Sequence, residues 1–281
     1  NEMLVRSDQK SLWRRVLSEN VFAEWEKQLE QRAGGSHRTV TIAFADLRGF
    51  TAMVDQAHQY VAQITRETNA SPETANDFAR READESMATI NRYLSEIARL
   101  FKEHDGTFDK YIGDCVMAFW GAPLPRESHA LPCVLAAMAA QRRIKQLNDE
   151  RKAENVRREQ DNLVLAKSAQ RPLRMLPLLS FGIGIHTGEV TVGTLGGGNI
   201  VSNYTVFGRD VNIASRLEGF AQGGQILISA TTLREIERGT PILASRCRSL
   251  GSKLLKGIRE PIEVFEVPWD DSEALSSVLP P

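Results

Sequence analysis

Between two long helical patterns the chain places a hairpin. Residues 107–120 are two short apolar runs broken at Gly113-Asp114, the turn chemistry of paired antiparallel strands. Before it, Met87, Ile90, Leu94, Ile97 and Phe101 share one face of residues 84–103, an amphipathic helix stopped by His104-Asp105-Gly106. After it, a helix is expected over residues 128–147. From Thr39 to Ala45, Val40, Ile42 and Phe44 fall on one side, a strand pattern. Further strands are expected at Leu179–His186, Glu189–Thr194, 225–229 and 262–267. A helix is expected from Asp210 to Phe220, ended by Gly223-Gly224. The order β-α-β-β-α-β predicts an α/β fold, a ferredoxin-like βαββαβ sandwich with an antiparallel central sheet.

The remaining stretches are less patterned. Residues 8–32 read as a helix, because Trp13, Leu17, Val21, Trp25 and Leu29 recur every four residues before Ala33-Gly34-Gly35-Ser36. That stripe suits either packing on its own domain or pairing with a second copy below an upstream sensor domain. Residues 1–36 are thus expected to be helix and linker, 37–268 the main domain, and 269–281 a disordered tail. Residues 55–82 are polar and read as a surface excursion. Residues 148–171 are dense in charge and amide, a solvated helix extension or a disordered loop. Gly196-Gly197-Gly198-Asn199 reads as a flexible turn.

Composition narrows the function classes. The 281 residues carry a formal charge of −1, without the basic excess expected of a nucleic-acid binder. No apolar run approaches the roughly 20 residues of a membrane span. Cys115, Cys133 and Cys247 are scattered, with no Cys/His cluster. A zinc site is not expected, and a reducing, cytoplasmic compartment is.

Three stretches carry chemistry: Phe44-Ala45-Asp46-Leu47-Arg48-Gly49-Phe50-Thr51, Asp109-Lys110-Tyr111-Ile112-Gly113-Asp114, and Phe207-Gly208-Arg209-Asp210-Val211-Asn212-Ile213-Ala214-Ser215-Arg216-Leu217. Asp46 ends a strand beside a turn whose glycine leaves room for a phosphate, and helix-start N–H groups favour anions. Taken alone, such an aspartate is a helix cap and Asp114 a turn residue. Together they are the carboxylates that Mg²⁺ uses with substrate phosphates. Asn212 and Arg216 lie i, i+4 on one helix face. That is an exposed polar face unless Arg216 meets charge developing on phosphorus. Lys110, and Lys256 in Leu254-Leu255-Lys256-Gly257, read by default as solvated lysines, and His186 as a structural histidine at a strand end. Lys110 and Asp114 are about 13 Å apart on an extended strand, too far to share one phosphate.

In this order the motifs resemble the class III nucleotide cyclases, from about Thr39 to Val267. The resemblance implies an adenylyl cyclase that converts ATP to 3′,5′-cyclic AMP and pyrophosphate. Asp46 and Asp114, with the Leu47 position, match its metal site for two Mg²⁺ or Mn²⁺ ions. Lys110 matches the adenine-reading lysine, and Thr205 the second base-reading position. Asn212 and Arg216 match the ribose-orienting and transition-state pair. Gly49, Phe50 and Thr51 match the phosphate turn, and Lys256 a lysine for the terminal phosphates. Family members pair head to tail with shared sites, which implies a homodimer and removes the Lys110–Asp114 distance conflict. A guanylyl cyclase is the alternative, against which Lys110 argues. A degenerate nucleotide-binding module is a second, against which the intact Asp46, Asp114, Asn212 and Arg216 argue. The signature of diguanylate cyclases is absent.

Overall fold

The structure, a computed structural model, describes residues 36–167, 173–195 and 203–270, with Arg14, Val16, Leu17, Glu19 and Phe22. The rest of the 8–32 helix, the turn at 196–199 and the tail beyond 270 lie outside the described residues. The strands are β1 (Ser36–Arg48), β2 (Thr107–Ile112), β3 (Cys115–Trp120), β4 (Ser180–Leu195), β5 (Asn203–Phe207), β6 (Ile226–Ser229), β7 (Arg248–Lys253) and β8 (Ile262–Glu266). The helices are α1 (Phe50–Glu67), α2 (Pro72–Glu103), α3 (Ala130–Lys167), α4 (Arg209–Phe220), α5 (Ala230–Gly239) and α6 (Pro241–Arg246). The sheet order is β2-β3-β1-β4-β6-β8-β7, with β5 on β4. Every pairing is antiparallel except β4 with β6. The expected sandwich is therefore present, with β2-β3-β1-β4 as its ferredoxin-like half.

Alternation along the strands decides which layer covers which face. Ala43, Ala45 and Leu47 of β1, with Val116, Ala118 and Trp120 of β3, pack under Ile90, Leu94, Ile97 and Phe101 of α2 and under Val134, Ala137 and Met138 of α3. Each fully buried aliphatic chain there contributes about 1.5–3 kcal/mol. The opposite face carries Val40, Ile42, Phe44, Met117, Phe119 and Val190, covered in part by Val206 of β5 and Ala214 of α4. Asp46 is in phase with Ile42 and Phe44, so it belongs to this second face.

α4 lies unusually close to β4. A Cβ on Gly184 would sit 2.0 Å from the Glu218 backbone nitrogen, and one on Gly188 would sit 2.3 Å from Asp210 Oδ2. Only glycine admits the helix backbone at the first position and the Asp210 side chain at the second.

Two expectations need correction. Residues 55–82 are not an irregular excursion; they form most of α1 and the start of α2. Ser71-Pro72 is the start of α2: Ser71 Oγ accepts the Thr74 N–H at 3.2 Å and Pro72 occupies the first turn. A surface helix with a sparse apolar stripe reads as a loop when composition alone is weighed. The strands expected at 179–186 and 189–194 are one strand, β4, because β1 pairs with it without interruption from Arg48↔Ser180 to Ser36↔Val192. β5, β7, α5 and α6 had no clear signal.

Residues 148–167 continue α3, the helix-extension alternative, and their amides have a purpose. Asn148, Asn155 and Asn162 are seven residues apart, so they share one face of the helix. Each grips the main chain of the segment that follows. Asn148 donates to Leu179 O at 2.7 Å, Asn155 to Leu176 O at 2.9 Å and Asn162 to Leu173 O at 2.9 Å. Their oxygens accept the N–H groups of the same three leucines. Seven helical residues rise about 10.5 Å, and three extended residues span about 10 Å. The two repeats match, so the ladder stays in register and delivers the chain to β4.

Candidate active site

Three groups of predicted residues form three local assemblies. The first is the carboxylate edge. Asp46 ends β1, and Asp114 sits in the β2–β3 turn; the Leu47 N–H donates to Asp114 O at 3.3 Å and locks the two segments together. Burial, and then the Asp114 charge, push the Asp46 carboxyl above its usual range, against the pull of Arg48. Arg48 pairs with Asp46 and reaches Glu218 Oε1 of α4 at 2.5 Å. Glu218 is pushed up to about 7, mainly by burial and next by Asp46. Neither Arg48 nor Glu218 was singled out from sequence. A carboxyl raised by burial and by a neighbouring carboxylate is an electrostatic site for a cation. Among the described residues no three His, Cys, Asp or Glu side chains are placed to hold a metal by themselves. The pair fits a metal that takes its remaining ligands from phosphate and water. Beside it, Gly49 caps α1 with φ of 92°, a conformation glycine adopts without strain, and no side chain caps the helix. The N–H groups of the first α1 turn therefore keep their affinity for an anion.

The second assembly is a small polar pair. Lys110 Nζ lies 3.3 Å from Thr205 Oγ1, although 95 residues separate them in the chain. Asp109 stands behind both: Thr205 Oγ1 donates to Asp109 Oδ2 at 2.5 Å, and Lys110 Nζ lies 3.1 Å from Asp109 Oδ1. Burial pushes the Asp109 carboxyl up, while Thr205 and Lys110 pull it down. The strand register explains why two consecutive residues meet one partner. β2 shifts register between Phe108 and Lys110, so Asp109 is the extra residue of a bulge and is aimed off the regular alternation.

The third is a cleft of about 660 Å³ lined by Arg209, Asn212, Arg216, Lys256, Gly257, Ile258, Arg259 and Glu260. It contains Asn212, Arg216 and Lys256 together with Arg209 and Arg259. Four cationic side chains facing one glutamate make a site for a polyanion. The carboxylate edge does not line this cleft. Arg216 and Glu218 are two positions apart, about 200° around a helix. α4 thus sends its arginine into the cleft and its glutamate toward Asp46.

The family comparison agrees with this fold and these motifs. Residues 33–267 match the adenylate and guanylate cyclase catalytic domain family, and the chain belongs to it. The chain is similar to an adenylate cyclase of Anabaena cylindrica, 31% identical over 235 residues, covering 83% of this chain and 37% of that protein. It therefore spans little more than a third of that relative. The crystal structure of the adenylyl cyclase CyaB from P. aeruginosa superposes with a TM-score of 0.60 at 27% identity, over 84% of this chain and 96% of that one. The crystal structure of the guanylyl cyclase Cya2 superposes with a TM-score of 0.57 at 28% identity, over 84% and 94%. No helix among the described residues is long and apolar enough to cross a membrane.

Proposed function

We propose that this chain is an adenylyl cyclase catalytic domain, extending over residues 37–268, that acts as a head-to-tail homodimer. The observation that carries the base assignment is the Lys110–Thr205–Asp109 cluster. Thr205 gives its hydroxyl proton to Asp109, so its oxygen faces outward as an acceptor. Lys110 is a donor only. Adenine presents the complement, a ring-nitrogen acceptor beside an amino donor. Guanine presents a carbonyl and donor N–H groups in the corresponding places, which leave Lys110 and Thr205 mismatched.

In this reading Asn212 holds the ribose, and Lys256 holds the terminal phosphates with the first-turn amides at Gly49, Phe50 and Thr51. Arg216 meets the charge that develops on the α-phosphate. The 3′-oxygen attacks the α-phosphorus in line as the bond to pyrophosphate breaks, and its proton passes to water or to the leaving phosphate. Asp46, Asp114 and the Leu47 carbonyl would hold two Mg²⁺ or Mn²⁺ ions, which when bound lower the pKa of the 3′-hydroxyl and neutralise phosphate charge. The separation of the carboxylate edge from the Arg216 cleft supports sites shared between two chains. Each β2–β3 hairpin then serves one site with Lys110 and the other with Asp114.

The test is product identification with ATP or GTP, in Mg²⁺ or Mn²⁺, for the wild type and Lys110→Glu. ATP should yield cyclic AMP with the higher kcat/KM. Lys110→Glu should damage ATP use more than GTP use, because a carboxylate accepts from guanine. Preferred turnover of GTP by the wild type, or an unchanged ratio in the variant, overturns the base assignment.

A further inference from the structure

A line of buried side chains crosses the molecule from the start of α3 to the start of α4. His129 Nδ1 lies 2.7 Å from Thr41 Oγ1, and Thr41 Oγ1 lies 2.8 Å from Thr187 Oγ1. Thr187 Oγ1 donates to Thr232 Oγ1 at 3.1 Å, which lies 3.2 Å from Ser229 Oγ. Ser229 Oγ lies 2.8 Å from His186 Nδ1, and His186 Nε2 lies 3.5 Å from Asp210 Oδ1. All of these residues except Asp210 are buried. One donor fixes its neighbours: because Thr187 spends its proton on Thr232, it accepts from Thr41, which in turn accepts from His129. At the other end the Asp210 carboxylate selects the Nε2–H form of His186 and leaves Nδ1 to accept from a hydroxyl, that of Ser229 at 2.8 Å or of Thr231 at 3.4 Å. His186 is the strongest influence holding the Asp210 carboxyl below its ordinary range. From His129 to Thr232 every hydrogen points the same way, the arrangement in which hydrogen bonds reinforce one another.

The line ends on the helix that bears Asn212 and Arg216. α4 begins at Gly208 with no side chain capping it. Asp210, in the first turn, turns instead to β4. Its Oδ2 accepts the Glu189 N–H at 2.7 Å, and Gly188 leaves it space that any Cβ would fill. His186 shares that face of β4 with Gly184 and Gly188, between the place where the α4 backbone comes close and the place where the Asp210 side chain is seated.

We infer that His186 is a positioning residue for α4: through Asp210 it sets where Asn212 and Arg216 meet the nucleotide. The inference rests on the cyclase reading of those two residues. Arg48 ties the far end of α4 to β1 through Glu218 and the Ala221 carbonyl, so its first turn needs a stop of its own against sliding along β4. The His186–Asp210 contact and the Asp210–Glu189 hydrogen bond supply that stop. A displacement of about 1 Å at the reacting groups can cost on the order of 10² in rate.

Two readouts on the purified chain test this. In His186→Ala, kcat for cyclic AMP formation should fall by at least roughly tenfold while KM for ATP changes much less, the pattern of a misplaced transition-state group. His186→Gln places an amide nitrogen within reach of Asp210 and should recover most of kcat. His186→Asn is too short to reach and should not. Independently of activity, hydrogen exchange of the backbone amides over 209–216 should quicken in His186→Ala and in Asp210→Ala. The double variant should be no faster than the faster single. Arg216→Ala, run alongside, should be nearly inactive. If it turns over, α4 lacks its catalytic role and the inference falls with that reading. If it is inactive but exchange at 209–216 is unchanged, or His186→Gln is as slow as His186→Ala, His186 is only a core residue.

Discussion

Asp109 is the extra residue of a bulge, and Glu218 is a carboxylate enclosed beside two others. Neither role follows from the residue type. The motif around Lys110 was legible because Lys110 and Asp114 sit in one short stretch with a turn between them. Asp109, one position earlier, would face away from Lys110 in a regular strand; the register shift in β2 is what turns it to Thr205. Glu218 gave no signal because its neighbours, Arg48 and Asp46, come from β1, some 170 positions away. Its environment has a measurable consequence. Folded Glu218 keeps its proton to about pH 7, whereas the unfolded chain releases it near the ordinary 4.5. The folded state therefore binds more protons in that window, and this group's contribution to stability falls as pH rises from about 4.5 to 7 and is flat above. Urea unfolding in EDTA at pH 5 and pH 8 should show the wild type losing stability relative to Glu218→Gln on going to pH 8. A difference between the two proteins that is independent of pH would refute the assignment.

The elements differ in how much of themselves they disclosed. α2 from residue 84 onward, the β2–β3 hairpin and α4 have strong periodicity, because each buries one face against the sheet. The first half of α2 was hidden, since a mostly exposed helix has a weak stripe and a polar composition. α3 beyond residue 147 was ambiguous for the same reason, and its seven-residue asparagine repeat is the signal that resolves it. That ladder predicts a specific cost. Asn155→Ala removes two hydrogen bonds to Leu176, worth about 1 kcal/mol each. For a chain of this size the midpoint of thermal unfolding should fall by roughly 3–4 °C. Exchange of the Leu176 amide should rise by more than that of the neighbouring Arg174. Calorimetry with an unchanged midpoint and unaltered exchange would mean that the extended segment is held by its leucines rather than by the amides.

The halves of the proposed site lie on opposite sides of α4, so one chain presents carboxylates at one place and Arg216 at another. Two inactive variants should therefore complement each other. Asp46→Ala and Arg216→Ala are each expected to be nearly inactive. Mixed with free exchange of subunits, half of the dimers carry one of each chain. In those dimers one site inherits both defects and the other is whole, so activity should recover to about a quarter of wild type at equal total chain. A mixture as inactive as its components, with exchange shown by a labelled subunit, would place both residues in one chain's site.

The amino-acid sequence by itself determined the layer architecture and the chemical parts. Periodicity reports which face of an element is buried, and Asp46, Asp114, Asn212 and Arg216 occupy motifs whose spacing is local. Only the tertiary structure decided which parts meet. The Lys110–Thr205 contact, the Arg48 bridge from Asp46 to Glu218, and the line from His129 to Asp210 each join residues from strands and helices that are distant in the chain. Such contacts depend on strand register, on a bulge and on glycines that let a helix lie flat against β4. Those are properties of pairing between segments, which no single segment encodes.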